Sequence, residues 1–316
     1  MWSRPPADRA APGQRRFRAL LQLVIAGACW GLAAIIAKTA FDRGVAPVRM
    51  AEARAVVALA ILAVALAWRR RDLLRPPQAS LPVLAAFGLT LALVTASYYL
   101  AIDRLAVGVA ISIQYTAPVI LLVVGGLTGR GRPSRLAWLA AGVTLLGAVL
   151  VSRALQGLSG VDGLGILAAL ASALTFAGYL FLADVAGRRG IHPATLLLWG
   201  FVTAVIFWSV AAPWWSWPYG KLAEPKVTLA VLGVGVVGTL VPFLLAVDAV
   251  PVVSPATAGI AATVEPPAAA AFAWLFLGQH LIAAQIAGGL LVIAGIALAQ
   301  LRPAVARETL VVEAAP

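Results

Sequence analysis

Long apolar runs, separated by short polar connections, recur ten times along the chain. Each run has roughly the 20 residues that an α-helix needs to cross a bilayer. The runs cover residues 19–40, 48–68, 81–102, 105–127, 136–152, 164–185, 194–212, 227–247, 252–277 and 281–301. The alternation of apolar and polar residues that is typical of a β-barrel is absent. The pattern therefore predicts an all-α membrane protein with ten transmembrane helices, because a helix satisfies its own backbone hydrogen bonds in lipid.

The composition agrees with a membrane protein. Hydrophobic residues make up 62 % of the chain and charged residues 11 %, whereas soluble domains have about 45–50 % and about 25 %. So few charges cannot cover a soluble surface, which excludes soluble globular, disordered and fibrous proteins. The only cysteine, Cys29, excludes an internal disulfide. The first apolar run is about twice as long as the core of a signal peptide, so we expect it to remain as the first helix.

The basic residues predict the orientation in the membrane. The chain has 24 Lys and Arg against 12 Asp and Glu, for a formal charge of +12. In a membrane protein this excess reflects topology and the anionic inner leaflet, so we expect no nucleic-acid partner. With the N-terminus inside, 16 of the 24 basic residues lie in the inner segments and 6 in the outer segments, while Lys38 and Arg54 fall within runs. We therefore expect a multi-pass cell-membrane protein whose basic tail, residues 1–18, and C-terminal tail, residues 302–316, are both cytoplasmic.

The connection between the seventh and eighth runs, residues 213–225, would then face outside. Its aromatic residues are Trp214, Trp215, Trp217 and Tyr219. Tryptophan and tyrosine concentrate at membrane interfaces, which predicts an interfacial aromatic belt. A lid over a substrate site is the alternative interpretation.

The two halves of the chain resemble each other. Arg43, Gly44 and Pro47 recur 146 residues later, and five further positions recur 148 residues later. The repeats cover residues 19–153 and 163–301, with five runs each. Because five is odd, the second repeat is inserted upside down relative to the first. Inverted repeats are a recurring architecture of secondary transporters, with the substrate site near the midplane between the repeats.

Several stretches resemble the EamA-type transporters of the drug/metabolite transporter superfamily. They are GACWGLAAIIAK, RGVAPVRMAEAR, AIDRLAVGVAISIQYTAPV and SPATAGIAATVEPPAAAAFAWLFLGQHLIAAQIAGGLLVIAGIAL, within residues 19–301. The resemblance implies ten helices in two inverted five-helix repeats, alternating access and export of small metabolites. It also implies a central cavity lined by helices one to four and six to nine. The chain departs from the family at Gln279, where the family often has Glu, and at its first-repeat counterpart, Gly131.

Glu265 is the leading candidate for the transport site. It lies near the middle of the ninth run, in the sequence TVEPP. An acid at the bilayer centre costs about 2.5–3.5 kcal/mol on insertion scales and usually faces a cavity or a partner. Glu265 could carry a proton, bind a substrate amine, or cap backbone groups that Pro266 and Pro267 leave free. Its first-repeat counterpart is Ala117, so the predicted site is asymmetric.

Aromatic and polar residues in the same part of the runs are further cavity candidates. They are Trp30, Tyr98, Tyr99, Gln114, Tyr115, Phe176 and Tyr179. Aromatic surfaces with a few polar groups are typical of small-molecule cavities, although packing is the alternative for any one of them. Pro118 and Pro266 occupy matching positions and are hinge candidates, with static curvature as the alternative.

Three charged residues lie near the outer ends of the first two runs. Lys38, Glu52 and Arg54 could form an ion-pair cluster, or the two cations could extend to the interface. Arg54 also matches an arginine that is frequent in the second helix of the family that the chain resembles.

No cofactor chemistry is recognisable in the chain. The phosphate loop GxxxxGK[ST] is absent, and the two histidines, His192 and His280, belong to no zinc-binding pattern. We expect no cofactor, no metal and no enzymatic activity. The predicted function is a secondary transporter that exports a small metabolite, such as an amino acid, with the lipid bilayer and that substrate as partners. Proton coupling and a homodimer stay open. A non-transport scaffold or lipid-handling partner protein with the same fold is the alternative.

Overall fold

A computed structural model describes residues 12–128, 133–157 and 162–301 of the chain. Within these ranges the chain forms ten apolar helices and no strand. They are α1 (Pro12–Phe41), α2 (Pro47–Arg69), α3 (Leu81–Arg104), α4 (Val107–Leu127), α5 (Arg135–Val151), α6 (Gly163–Arg188), α7 (Pro193–Ala211), α8 (Pro225–Val253), α9 (Pro255–Leu277) and α10 (Ala283–Leu301). Nine of them are long enough to cross a bilayer, and α5 is a shorter apolar helix of 17 residues. The predicted all-α, ten-helix membrane fold is confirmed.

The helices differ from the predicted runs in two ways. First, α1 begins at Pro12, so residues 12–18 of the predicted N-terminal tail are helical. Residues 1–11 of that tail, Gly131 and the predicted C-terminal tail lie outside the described ranges. Second, three long helices are irregular: α4 and α9 are interrupted near their middles, and α8 contains one π turn, Val236–Leu240.

The turn between α1 and α2 has the same conformation as the turn between α6 and α7. Gly44 has φ +84° and Gly190, 146 residues later, has φ +72°, a region that glycine adopts without strain. The amide after each glycine donates to a carbonyl of the preceding helix, at 3.1 Å and 3.0 Å. Pro47 and Pro193 then begin the next helix at the position where a proline costs no hydrogen bond. The sequence repeat is therefore also a structural repeat.

Helix packing follows a twofold pattern. α1 packs against α8 and α9, and its counterpart α6 packs against α3 and α4. In the same way α3 packs against α7, and its counterpart α8 packs against α2. The pairs α2 with α7, α4 with α9 and α5 with α10 join counterparts of the two repeats. Two five-helix units that pack on each other in inverted orientation produce such a set of contacts.

Glycines bring α5 and α10 into close contact within this single chain. A Cβ atom added at Gly147 would lie 2.6 Å from the carbonyl oxygen of Gly288, and one added at Gly295 would lie 3.0 Å from the carbonyl oxygen of Ala140. Small residues allow such a close backbone approach in membranes, where van der Waals packing drives helix association. The two helices pack chiefly on each other at one side of the bundle.

One end of the bundle, here the proximal end, holds both ends of the described helical chain. Arg16 in α1 donates to the carbonyl oxygen of Ala299 in α10 at 2.9 Å. Gln22, also early in α1, donates to Asp248 near the end of α8 at 3.0 Å. The loop between α2 and α3 lies at this end too, because it accepts a hydrogen bond from Thr195 at the start of α7. That the proximal end faces the cytoplasm remains the prediction of the Lys and Arg distribution.

The opposite, distal end joins the remaining loops. Arg104 at the end of α3 pairs with Asp162, which precedes α6, at 3.1 Å. The amides of Gly165 and Leu164 and the Arg104 guanidinium hold the pKa of Asp162 below its usual value. The described parts of the loops after α3 and α5 thus meet at the same end, as alternating crossings require.

Residues 212–224 are tied to the start of α2 at the distal end. Arg49 donates to the hydroxyl of Ser216 at 2.5 Å, and the indole of Trp217 donates to the Arg49 carbonyl oxygen at 3.3 Å. Trp217 is buried, whereas the two tryptophans before it, Trp214 and Trp215, are exposed. Only part of the aromatic segment is therefore available to an interfacial belt, and both the belt and the lid remain predictions.

Candidate functional site

The interruptions of α4 and α9 lie just before prolines. In α4 the turn at Tyr115 and Thr116 precedes Pro118, and in α9 the turn at Thr263 precedes Pro266. Proline has no amide hydrogen, so it cannot donate to the carbonyl one turn earlier. Each break has a threonine whose hydroxyl donates to the carbonyl three residues before it, at 2.7 Å for Thr116 and 2.6 Å for Thr263. The two hinge candidates therefore follow true breaks in the helices.

The two broken helices meet near the breaks. Gly259 in the first half of α9 is buried, and a Cβ atom added there would lie 3.1 Å from Cγ of Pro118. Pro118 is also buried. The middle of α4 is therefore packed against the first half of α9, so the interruptions of the two repeats lie in one region between them.

Glu265 and Tyr115 are brought together at this place. The Tyr115 hydroxyl donates to the Glu265 carboxylate at 2.7 Å, across the interface between α4 and α9. Tyr115 is buried, while Glu265 keeps a partly accessible side chain. No side-chain cap is formed at the start of the second half of α9. The carboxylate thus bonds to the other repeat, and a cap on backbone groups that Pro266 and Pro267 leave free stays the alternative.

The backbone of α1 lies directly against the second half of α9. A Cβ atom added at Gly31 would lie 2.7 Å from the Ala269 nitrogen and 2.9 Å from the Glu265 carbonyl oxygen. Because these are backbone atoms, they cannot move aside as a flexible side chain could. Gly31 therefore fixes the distance between α1 and the segment that carries Glu265.

A row of aromatic rings extends from Tyr115 into the bundle. The ring centroids are 6.2 Å apart for Tyr115 and Phe176, 6.0 Å for Phe176 and Tyr179, 5.5 Å for Tyr179 and Phe243, and 5.5 Å for Phe243 and Trp30. These separations are typical of favourable aromatic pairs. Four of the predicted residues thus belong to one cluster. It is largely buried, so it closes the space beside Tyr115 more than it lines an open cavity.

The other predicted residues make no ring contact with the aromatic row. Tyr98 and Tyr99 have ring centroids 6.3 Å apart, and Tyr98 interacts electrostatically with Glu265. Gln114 is half-buried and forms no side-chain hydrogen bond with any described residue. In the part of the chain that the structure describes, no three His, Cys, Asp or Glu side chains come together as a metal site.

The predicted cluster of Lys38, Glu52 and Arg54 does not form. Lys38 pairs with Asp42 at 2.8 Å, and the buried Glu52 pairs with Arg49 at 3.2 Å, each within its own helical segment. Short sequence separation favours such pairs because residues three or four apart share one face of a helix. Arg54 is left to interact electrostatically with Glu265 and Tyr99.

Sequence reasoning missed two residues of this region. Phe243 joins Trp30 to Tyr179 and was hidden in a uniformly apolar run, next to the π turn of α8. Arg54 was expected in an ion-pair cluster or at the interface, although it follows the buried Ala51 and precedes the buried Ala58 by one turn each. That spacing places Arg54 on the inner face of α2 and was the available signal.

The two halves of α9 differ in their surroundings. Every residue from 256 to 262 is buried, whereas only Pro266 and Ala273 are buried in the second half. A separate cavity of about 490 Å³ lies beyond this half at the distal end, between α5, α9 and α10, and Arg153, His280 and Gln285 contribute to its lining. Glu265 therefore lies where an enclosed segment changes to a loosely packed one.

Comparisons with known proteins identify the class. The model of the EamA-like transporter family matches residues 17–153 and 163–301. The threonine/homoserine exporter RhtA of Salmonella typhimurium (strain SL1344) is 29 % identical over 272 residues, which cover 84 % of this chain and 86 % of that protein. RhtA of Escherichia coli (strain K12) is 28 % identical over 258 residues, covering 80 % and 81 %. An uncharacterized transporter of Synechocystis sp. is 27 % identical over 235 residues, covering 73 % and 70 %.

A solved crystal structure has the same fold. It superposes with a TM-score of 0.71 at 18 % identity and covers 93 % of this chain and 99 % of its own. The fold and the matches together define a multi-pass membrane transporter of small metabolites. The chain belongs to the EamA-like transporter family.

Proposed function

We propose that this protein exports small neutral amino acids, of the size of threonine and homoserine, across the cell membrane by alternating access. The observation that carries the proposal is the hydrogen bond between Tyr115 and Glu265, which joins the two repeats between their broken helices. The similarity to threonine/homoserine exporters supports the substrate class. A carboxylate at this depth is suited to an ammonium group, because each compensates the other's loss of water.

Alternating access follows from the repeat and the breaks. Inverted repeats give two states of similar energy, in which equivalent halves exchange roles. In the described state the first half of α9, toward the proximal end, is enclosed, and the second half is loosely packed. A change of direction at Thr263 would move the segment with Glu265 relative to α4 and break its bond to Tyr115. A bound substrate would then pass from one side to the other.

Counterflow in proteoliposomes tests the proposal. Vesicles loaded with unlabelled L-threonine should accumulate labelled L-threonine through the wild type, and homoserine should compete. Glu265→Gln should lose both counterflow and pH-driven uptake where Glu265 binds the amine. It should keep counterflow and lose only pH-driven uptake where Glu265 carries the proton. Glu224→Gln is the matched control, because Glu224 is a partly exposed carboxylate at the distal end that pairs with Lys221 and Arg43, away from the broken helices.

The same assay can overturn the proposal. A wild type that moves no member of a panel of neutral, cationic, aromatic and sulfur amino acids would favour the scaffold or lipid-handling alternative. Normal transport by Glu265→Gln under all conditions would remove Glu265 from the mechanism.

The orientation has its own test. Reporter fusions at Gly220, in the distal segment, should read external, and fusions at Arg302 should read cytoplasmic. The opposite pattern would reverse the direction that we assign to the two ends of the bundle.

A further inference from the structure

Arg54 is a half-buried charged side chain of α2, and no close partner among the described residues neutralises its charge. Among the described residues it forms no ion pair within 4.0 Å and no hydrogen bond. It lies seven residues into α2, about 10 Å along the helix axis from Pro47 at 1.5 Å per residue. Its neighbours one turn away, Met50, Ala51 and Ala58, are all buried. The guanidinium is therefore directed into the protein at a depth where an unpaired charge is costly.

The surroundings of Arg54 include the acid of the candidate site and a tyrosine of α3. The guanidinium interacts electrostatically with the Glu265 carboxylate on α9 and with Tyr99 on α3. The acid nearest along its own helix, Glu52, is already paired with Arg49. Glu265 in turn takes its hydrogen bond from Tyr115 and not from Arg54. Arg54 and Glu265 thus face one region from different helices without forming an ion pair with each other.

We infer that Arg54 binds the carboxylate of the transported amino acid while Glu265 binds its ammonium group. The inference rests on the proposed function and names the residue that would bind the carboxylate of the substrate. A zwitterion placed between them would neutralise both charges at once, which neither an amine nor a carboxylic acid alone could do. A guanidinium also presents two parallel N–H groups that match the two oxygens of a carboxylate.

Competition against threonine counterflow tests the inference with three probes. They are L-threonine, its carboxamide, which lacks the negative charge, and its hydroxy-acid analogue, in which a hydroxyl replaces the amine. The wild type should bind threonine at least roughly tenfold more tightly than either analogue, since each analogue leaves one charged group without its partner. Arg54→Gln should weaken threonine binding by at least a similar factor, and its preference for threonine over the carboxamide should fall toward one.

Arg69→Gln is the matched control. It removes the same charge from the other end of α2, where the side chain is exposed, and should keep the wild-type preference. Arg54→Lys, which keeps the charge but loses the planar fork, should retain part of the preference. If Arg54→Gln does not assemble, the wild-type probe series still decides, because it needs no variant.

Two results would overturn the assignment of Arg54 and leave the transporter proposal intact. One is a wild type that carries threonine but accepts the carboxamide equally well. The other is Arg54→Gln that carries threonine with an unchanged preference. A wild type that carries no amino acid would instead overturn the proposed function, and the assignment of Arg54 would fail with it.

Discussion

The bond between Tyr115 and Glu265 can be measured by a double-mutant cycle. Tyr115→Phe removes only the hydroxyl, and Glu265→Met keeps the side-chain length while it removes the acceptor. The 2.7 Å bond joins two helices inside the bundle. Hydrogen bonds between membrane helices average about 0.6 kcal/mol in such cycles, with a maximum of about 1.7 kcal/mol. Bonds to charged groups contribute about 1.5–3 kcal/mol. We therefore expect a coupling free energy of about 1.5 kcal/mol for an ionised carboxylate.

The assay is reversible unfolding in mixed micelles of the wild type, the two single variants and the double variant. A coupling near ~0.6 kcal/mol would indicate that the carboxyl group is neutral at the pH of measurement. Tyr219→Phe is the control, because it removes a hydroxyl that donates to the Trp214 carbonyl in the exposed distal segment. It should show no coupling to Glu265→Met. Additive effects of the Tyr115 and Glu265 substitutions would refute the bond and the geometry that follows from it.

Further substitutions test other contacts of the fold. Gly31→Ala should lower the unfolding midpoint and slow threonine counterflow, because overpacking against backbone typically costs about 1–3 kcal/mol; Gly142→Ala, where an added Cβ meets nothing within 4 Å, should not. A midpoint for Gly31→Ala equal to that of Gly142→Ala would contradict the close approach. Gly147→Leu should separate α5 from α10 and raise hydrogen exchange in both helices, and unchanged exchange would count against their packing. Arg49→Gln should release residues 212–224, so that protease cleaves this segment faster in the variant; equal cleavage rates would exclude Arg49 as its anchor.

Much of the fold was predictable because a long apolar run in lipid satisfies its backbone hydrogen bonds only as a helix. The ten runs and the repeat came from length, composition and spacing, which do not depend on which face of a helix meets which neighbour. The turns at Gly44 and Gly190 were indicated by a glycine that a proline follows three residues later in both repeats. The interruptions of α4 and α9 were also indicated, since Pro118 and Pro266 must each leave a carbonyl without its donor.

The arrangement within the site was harder to predict, and Arg54 shows why. Helices that are apolar on every side carry little periodic signal, so the sequence gives their length but not the face that turns inward. The partner of Lys38 was not predicted for a related reason: Asp42 lies four residues away, in the turn directly after α1, and such a local pair needs no tertiary contact. Phe243 had no signal at all, because nothing in its run distinguishes a residue at the centre from one facing lipid.

The asymmetry between Glu265 and Ala117 has a consequence for the energetics of pumping. A repeat protein with an acid in each half could move two charges in a cycle, but this chain has only one carboxylate at the two equivalent positions. Where transport is driven through Glu265, each turnover can exchange one proton for one solute molecule and no more. Because the exchange of one proton for a neutral amino acid carries one net charge, the solute gradient could not exceed the full electrochemical gradient of the proton, membrane voltage included. Such a one-to-one exchange would make export depend on the membrane voltage as well as on the pH difference.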